Sequence, residues 1–390
     1  MLTYLVLAVG GLPGFRIDRT GAAIIGAAAM IGFNVLSIEE AYAAIDHDTI
    51  ILLFGMMIVV ANLRLSGFFR AVAVRVVEHA HRPIVLLALM VFVSGFFSAL
   101  FVNDTMCLVL TPLVLEICAT LKRNPVPFLL AVAMGANVGS AATITGNPQN
   151  MMIGSFSRIP YGEFARALAP AAAIGLALTV AVIALAYWKE FRAEERVEIA
   201  HPRARVNGVL MAKSIAVAAG MLVFFFLGWP VAEIALLAGA LLLVTRRVKP
   251  EKVYHEIDWQ LLVMFVGLFI VVAGMEKAFS QDLFAFASRF QLGRVGVLSA
   301  ASAALSNIVS NVPAVLVFKP LIPHLPDARR AWLALAMSST FAGNLTLLGS
   351  VANLIVVERA RREASIGFWE YFKVGAPLTV LTILAGVWLL

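Results

Sequence analysis

Four stretches of this chain, Ile50–Val60, Ile84–Phe97, Ile215–Leu227 and Leu261–Gly274, run without a single charged residue. They lie in longer apolar segments, several of which reach the ~20 residues that carry a helix across a ~30 Å hydrocarbon core. The pattern predicts membrane segments at 2–13, 19–36 and 48–66, a compound region at 83–121, and further segments at 125–156 and 165–188. After a polar stretch it resumes with segments at 209–228, 230–246 and 258–276, a second compound region at 294–325, and segments at 331–357 and 367–390. Met1–Gly14 lacks a basic leader and an A-x-A cleavage site, so it is expected to be a first membrane segment and not a removed signal.

Both compound regions are too long for one crossing and carry polar residues midway. Read as hairpins that enter and leave by one face, they leave five true crossings in each half. An odd number per half forces the halves into opposite orientations. The expected fold is therefore an all-α polytopic membrane protein of two inverted five-helix repeats, each with a re-entrant helical hairpin and a broken transmembrane helix. The first repeat spans 1–190 (hairpin 83–121, broken helix 125–156). A cytoplasmic linker follows at 191–208, then the second repeat at 209–390 (hairpin 294–325, broken helix 331–357).

Self-comparison supports the duplication. Ile45-Asp46, Gly55 and Ile58–Ala61 match Ile257-Asp258, Gly267 and Ile270–Ala273 at one constant offset. FSALFVNDTMCLVLTPLV (97–114) aligns with LSNIVSNVPAVLVFKPLI (305–322), pairing Ser98 with Ser306, Asn103 with Asn311 and Pro112 with Pro320. AMGANVGSAATITGNPQN (133–150) aligns with AMSSTFAGNLTLLGSVAN (336–353), pairing Thr143 with Thr346, Gly146 with Gly349 and Asn150 with Asn353.

Composition and charge agree with a membrane chain. Of 390 residues, 61% are hydrophobic and 14% charged, against ~45–50% and ~25% in soluble domains. The net charge of +7 does not point to nucleic acid. The basic residues lie in the connections without aromatic interleaving, where they act as topology signals. Arg16 and Arg19, the Arg64–Arg82 connection, Lys122-Arg123, the linker, Arg246–Lys252 and Arg359–Arg362 form one basic set. The opposite set is poor, and the connection around Glu39, Glu40 and Asp46 has no Lys or Arg. By the positive-inside rule the basic side is cytoplasmic, which places both termini outside the cell (inner) membrane. Cys107 and Cys118 would lie about 16 Å apart along a helix, too far for a bridge or a shared metal. No metal site and no cofactor are expected.

Polar residues inside a membrane are costly and usually functional. Here they concentrate at Val102–Thr105, Thr143–Asn150, Ser306–Asn311 and Asn344–Asn353, the paired elements of the repeat. Gly146-Asn147-Pro148 removes a helix donor and breaks its segment; Gly343 and Gly349 are positioned to do the same in the second half. Hairpin tips and broken helices that meet at the midplane surround one cavity with half-helix N-termini, carbonyls and amides. The candidate substrate- and ion-binding residues are Asn103, Asp104, Thr105, Thr143, Gly146, Asn147, Pro148, Gln149, Asn150, Ser310, Asn311, Thr346, Gly349, Ser350 and Asn353. Asp104 is the one carboxylate near the centre of an apolar stretch, and is the candidate carrier of a proton or cation; capping of a half-helix is its other role. All six histidines fall in connections. Asp46 and Asp258 precede apolar helices as N-caps. Apart from Lys319, roughly two turns beyond the second tip, no Lys or Arg lies near the four clusters in sequence. That disfavours a polyanion held by an arginine clamp.

At these motifs the chain resembles the ion transporter superfamily, which includes ArsB-type arsenite pumps, NhaD-type sodium/proton antiporters, the melanosomal P protein and sodium-coupled dicarboxylate carriers. Nearly the whole chain is covered. The dicarboxylate branch carries Ser-Asn-Thr at each hairpin tip, whereas this sequence has Val102-Asn103-Asp104 and Ser310-Asn311-Val312. Asn103-Asp104 is more similar to the ArsB and P-protein branches, which implies proton coupling. Ile144–Asn150 is closer to the general anion-carrier pattern. The resemblance also implies an elevator-like movement and a homodimer. The expectation is an antiporter expelling arsenite or antimonite in exchange for H+; the alternatives are a sodium/proton antiporter and a sodium-coupled inorganic or carboxylate anion carrier. An intramembrane enzyme is disfavoured, because neither His-Glu-x-x-His nor Gly-x-Ser-x-Gly occurs.

Overall fold

The computed structural model describes residues 17–80, 82–192, 206–288 and 291–390. The segment expected at 2–13 and most of the linker lie outside them. Every element among the described residues is helical. Among the described residues, seven helices are long and apolar enough to cross a membrane, and the protein is a multi-pass membrane protein.

In chain order the first half runs α1 (Arg19–Gly32), α2 (Ile38–Ala44), α3 (His47–Ser66), α4 (Phe68–His79), α5 (Pro83–Leu100), α6 (Asn103–Thr120), α7 (Pro125–Ser140), α8 (Pro148–Ser157), α9 (Tyr161–Ala186) and α10 (Trp188–Arg192). The second runs α11 (Gly208–Phe226), α12 (Val231–Leu243), α13 (Pro250–Tyr254), α14 (Trp259–Ser288), α15 (Val295–Val309), α16 (Asn311–Phe318), α17 (Ala328–Ala342), α18 (Val351–Ala360) and α19 (Phe368–Leu389). Two features of the hydropathy pattern explain the breaks. α5 stops at Phe101-Val102, where the chain turns extended and restarts as α6. α7 stops at Ser140, a single 3-10 turn occupies Ile144–Gly146, and Pro148 opens α8 as its first residue, a position where the missing N–H costs nothing. In the second half α17 ends at Ala342, a 3-10 turn occupies Leu347–Gly349, and α18 begins at Val351. No proline is needed there, because Ser350 is extended and caps α18 through its hydroxyl, which accepts from the Ala352 N–H.

α4 falls where the hydropathy pattern predicts only a connection. It forms because Phe69, Ala73, Val76 and Val77 recur on one face and are buried, while Arg70, Arg75 and Glu78 take the other; the helical period is legible, but its length is below a membrane span. Asp46 and Asp258 cap α3 and α14, accepting from the Thr49 and Leu261 N–H groups. Both cysteines are free and buried.

The broken helices form the centre. Every residue of α7 from Val126 to Ser140 is buried, as is every residue of α17 from Ala331 to Ala342. Outer helices instead expose large apolar side chains such as Leu241, Leu384 and Trp388, as a lipid-facing surface must. α5 lies against α7, α15 against α17 and α9 against α19, while α3 packs with α11 and α12, and α14 with α1. The α5–α7 contact depends on glycine. Gly135 and Gly139 present a small-xxx-small face to Ser94 and Gly95, and a Cβ on Gly139 would stand 2.1 Å from the Gly95 carbonyl oxygen. Backbone meets backbone there, so no side chain can yield. Gly139→Ala is expected to destabilise the protein by about 1–3 kcal/mol, read as a lowered Tm in detergent.

Candidate functional site

Asn137, inside α7, is the hub of the buried polar network, and backbone carbonyls set its orientation. The Asn353 amide donates to the carbonyls of Gly343 (2.7 Å) and Thr346 (3.1 Å), both freed by the break between α17 and α18. Its Oδ1 must then accept, and it does so from Asn137 Nδ2 at 2.9 Å. The same Nδ2 donates to Asn344 Oδ1 at 2.9 Å. Asn137 Oδ1 is left as an acceptor and takes Asn103 Nδ2 (3.0 Å) and the Ser350 hydroxyl (3.1 Å). Asn103, at the first hairpin tip, has thus committed its NH2. Its Oδ1 is buried with no hydrogen-bond partner in the protein.

A matching arrangement surrounds Thr340, the residue of α17 that aligns with Asn137. Asn150 Nδ2 donates to the carbonyls of Ser140 and Thr143, freed by the break after α7, while its Oδ1 accepts from the Thr340 hydroxyl at 3.5 Å. Thr340 Oγ1 also accepts from Asn147 Nδ2 (3.2 Å) and Gln149 Nε2 (3.3 Å). Each broken helix is therefore tied to the unbroken part of the other. Asn137 and Thr340 were not singled out by sequence; the signal present was a polar residue at the same position of two aligned apolar segments.

Asn103, Asp104, Pro148, Gln149, Ser310, Asn311 and Ser350 line one cavity of about 70 Å³. Both hairpin tips and both broken helices contribute. Asn311 repeats the situation of Asn103: its Oδ1 is buried and unpartnered. Thr105 lies elsewhere, on a second cavity of similar size. The remaining candidates brace the site and do not line it. Thr143 donates to the Ala99 carbonyl, Asn147 caps α8 by accepting from the Asn150 N–H, and Thr346 donates to Asn307 Oδ1 at 3.3 Å. Asn150 and Asn353 bind the break carbonyls described above. Gly146 and Gly349 let those breaks close; a Cβ on Gly146 would stand 2.0 Å from the Ser140 carbonyl oxygen.

Asp104 lines both cavities. It sits in the first turn of α6, yet that helix has no side-chain cap hydrogen bond, and no hydrogen bond or ion pair joins Asp104 to another described residue. Arg19, at the start of α1, lines the first cavity with it. This corrects the expectation that no Lys or Arg other than Lys319 comes near the clusters: Arg19 is remote in sequence and arrives by packing of α1 on α14. Lys319 is held away from the cavity, its Nζ 4.8 Å from the centre of the Phe156 ring.

Ser310, at the second tip, has φ +77° and ψ 161°, a conformation that favours glycine and strains other residues by ~1–3 kcal/mol. Ser310→Gly is expected to raise stability by about 1 kcal/mol net of glycine's entropic cost. Ser310→Ala keeps the strain and removes only the hydroxyl. Thermal denaturation of the two side by side separates conformation from the lost oxygen.

An all-helical membrane chain in which two hairpin tips and two broken helices converge on a small polar cavity is a secondary membrane transporter. The citrate transporter family model (CitMHS) matches residues 4–342, and the chain belongs to that family. It is 32% identical to the silicon efflux transporter LSI3 of Oryza sativa subsp. japonica, over 96% of this chain and 93% of that one. It is likewise 32% identical to the uncharacterized transporter Rv2684 of Mycobacterium tuberculosis, over 100% and 97%. A Dictyostelium discoideum protein bearing the name arsB is 25% identical over 95% and 87%. The crystal structure of the Alcanivorax borkumensis YdaH transporter superposes with a TM-score of 0.56 at 14% identity, covering 100% of this chain and 95% of that chain, a likeness of fold.

Proposed function

We propose that the protein exports a small uncharged hydroxy acid of a metalloid, arsenite or antimonite, in exchange for protons. The observation that carries this reading is that Asn103 and Asn311, which line one cavity, each hold a buried amide oxygen without a hydrogen-bond partner. A buried acceptor without a donor costs ~1–3 kcal/mol, so the site favours a ligand that brings hydroxyl donors. Arsenite at neutral pH is mostly As(OH)3, a neutral triol. The cavity's size suits a solute of a few heavy atoms. The relatives named for silicon efflux and arsB support the same chemistry, since silicic acid is also a neutral hydroxide. Only two cysteines are present, both buried, which favours release over three-thiol capture.

In this reading the two halves are inverted repeats, the basic connections face the cytoplasm, and the hairpins with the broken helices move as a unit against α1, α3, α11, α12 and α14 in an elevator-type cycle. Asp104 carries the proton. The test is arsenite uptake into everted membrane vesicles under a proton gradient, acid inside. Uptake that an uncoupler abolishes is expected, and its absence sinks the reading. Sodium-dependent uptake that survives collapse of the proton gradient would move the coupling to Na+. A second reading, a carboxylate anion such as citrate, is favoured by Arg19 in the cavity and by the family's description. It requires citrate uptake that Arg19→Gln abolishes.

A further inference from the structure

Asp104 and Leu261 line both of two cavities that differ in character. The first is lined by amides and hydroxyls from both hairpin tips and both broken helices. The second is lined by Asp104 together with Thr105, Asp258 and the Arg64–Glu256 ion pair, and walled by Met57, Val60 and Ile355. Across the linings of the two cavities the charged groups beside Asp104 are Arg19, Arg64, Glu256 and Asp258. The Arg64 and Glu256 side chains are 35% and 22% exposed and Asp258 is exposed, so the three together form the wet end of the second cavity. Asp258 is held as an acceptor by the Leu261 N–H at 2.9 Å, which leaves its second oxygen for the cavity. At about 70 Å³ the second cavity has room for several waters, and its polar walls can hold them. It contains none of the unpartnered amide oxygens of the hairpin tips.

We propose that substrate and proton use separate routes. Substrate occupies the first cavity. The proton leaves the Asp104 carboxyl through the second and passes by water to the Asp258 and Glu256 carboxylates at its exposed end, where it exchanges with solvent. In the elevator cycle Asp104 takes its next proton from the opposite face after the hairpins have moved, so one proton crosses per turnover and none is created or lost on the way. The arrangement lets Asp104 titrate while substrate blocks the first cavity, which exchange through one shared cavity would not allow. This inference rests on Asp104 being the proton carrier of the proposed function.

The test uses the Asp258→Asn/Glu256→Gln double variant, in which Asn can still cap α14, in proteoliposomes with arsenite as the probe. Proton-driven arsenite uptake is expected to fall about 100-fold, the lower range for a positioned proton-transfer group. Arsenite exchange at equal pH on both sides stays close to the native rate, a split that a merely structural defect would not produce. Loss of both activities together, or of neither, overturns the proposal. So does recovery when Arg64→Gln is added to that variant, because the defect is then an unpaired Arg64. A second arm needs no substrate. Leu108→Cys, on the wall of the second cavity, is expected to react with an impermeant methanethiosulfonate from the same face that labels Lys252→Cys, while the native buried cysteines stay silent. Failure to react from that face overturns the proposal. If the native protein moves no arsenite, the substrate reading fails, and this second arm still decides the route.

Discussion

Asp104→Asn is expected to remove proton-driven transport, lowering net flux by at least about 100-fold, while substrate exchange at equal pH survives. The amide nearly matches the carboxyl in shape and cannot ionise. Asp104 makes no hydrogen bond and no ion pair with another described residue, and its helix lacks a side-chain cap, so the substitution orphans nothing and the fold should be kept. A carboxylate retained in a membrane segment without a structural partner carries a cost that function must justify. Exchange must be measured beside net flux in the same vesicles. Loss of both would make Asp104 part of the substrate site, and loss of neither would deny it the coupling role.

Asn137→Ala is expected to be the most damaging single substitution in the polar network. It removes two donated and two accepted hydrogen bonds at once. Interhelical hydrogen bonds in membranes are worth ~0.6 kcal/mol on average and ~1.7 at most. Four lost together, with partners left buried, should cost about 2–4 kcal/mol. Function should suffer more than stability, because Asn103, which lines the cavity, loses the contact that fixes its amide. Asn137→Asp retains both acceptor roles but loses both donor roles, so it should keep Asn103 in place while releasing Asn344 and Asn353. A Tm series with transport assays on the two variants checks this. An Asn137→Ala protein of native stability would show that the network is not a brace.

Gly146-Asn147-Pro148 announced a break because glycine and proline act on the backbone they occupy, and the break stands between Ser140 and Pro148. The second break was harder to read: Gly343 still ends a helical turn in αR, and it is Ser350, extended and capping, that restarts the chain. The polar clusters at the hairpin tips were equally visible, because a hydroxyl or amide stands out in an apolar run. Sequence could not separate residues that line the cavity, such as Gln149 and Asn311, from those that brace it, such as Asn150 and Asn353. Both kinds are amides in the same motifs.

What the linear sequence determined by itself is the membrane class, the run of apolar segments and the places where polar chemistry enters them, since each follows from the composition of a short window of chain. Tertiary structure alone decided that Asn137 joins Asn103 to Asn344 and Asn353, that Arg19 reaches the cavity of Asp104, and that Asp104 opens on a second cavity beside Asp258 and Glu256. Those contacts join residues far apart in the chain, and they exist because helices with closely packed small residues bring buried polar groups within hydrogen-bond reach. A hydropathy window records how costly each polar group is to bury; only packing settles which partner offsets that cost and which oxygens are left for a ligand.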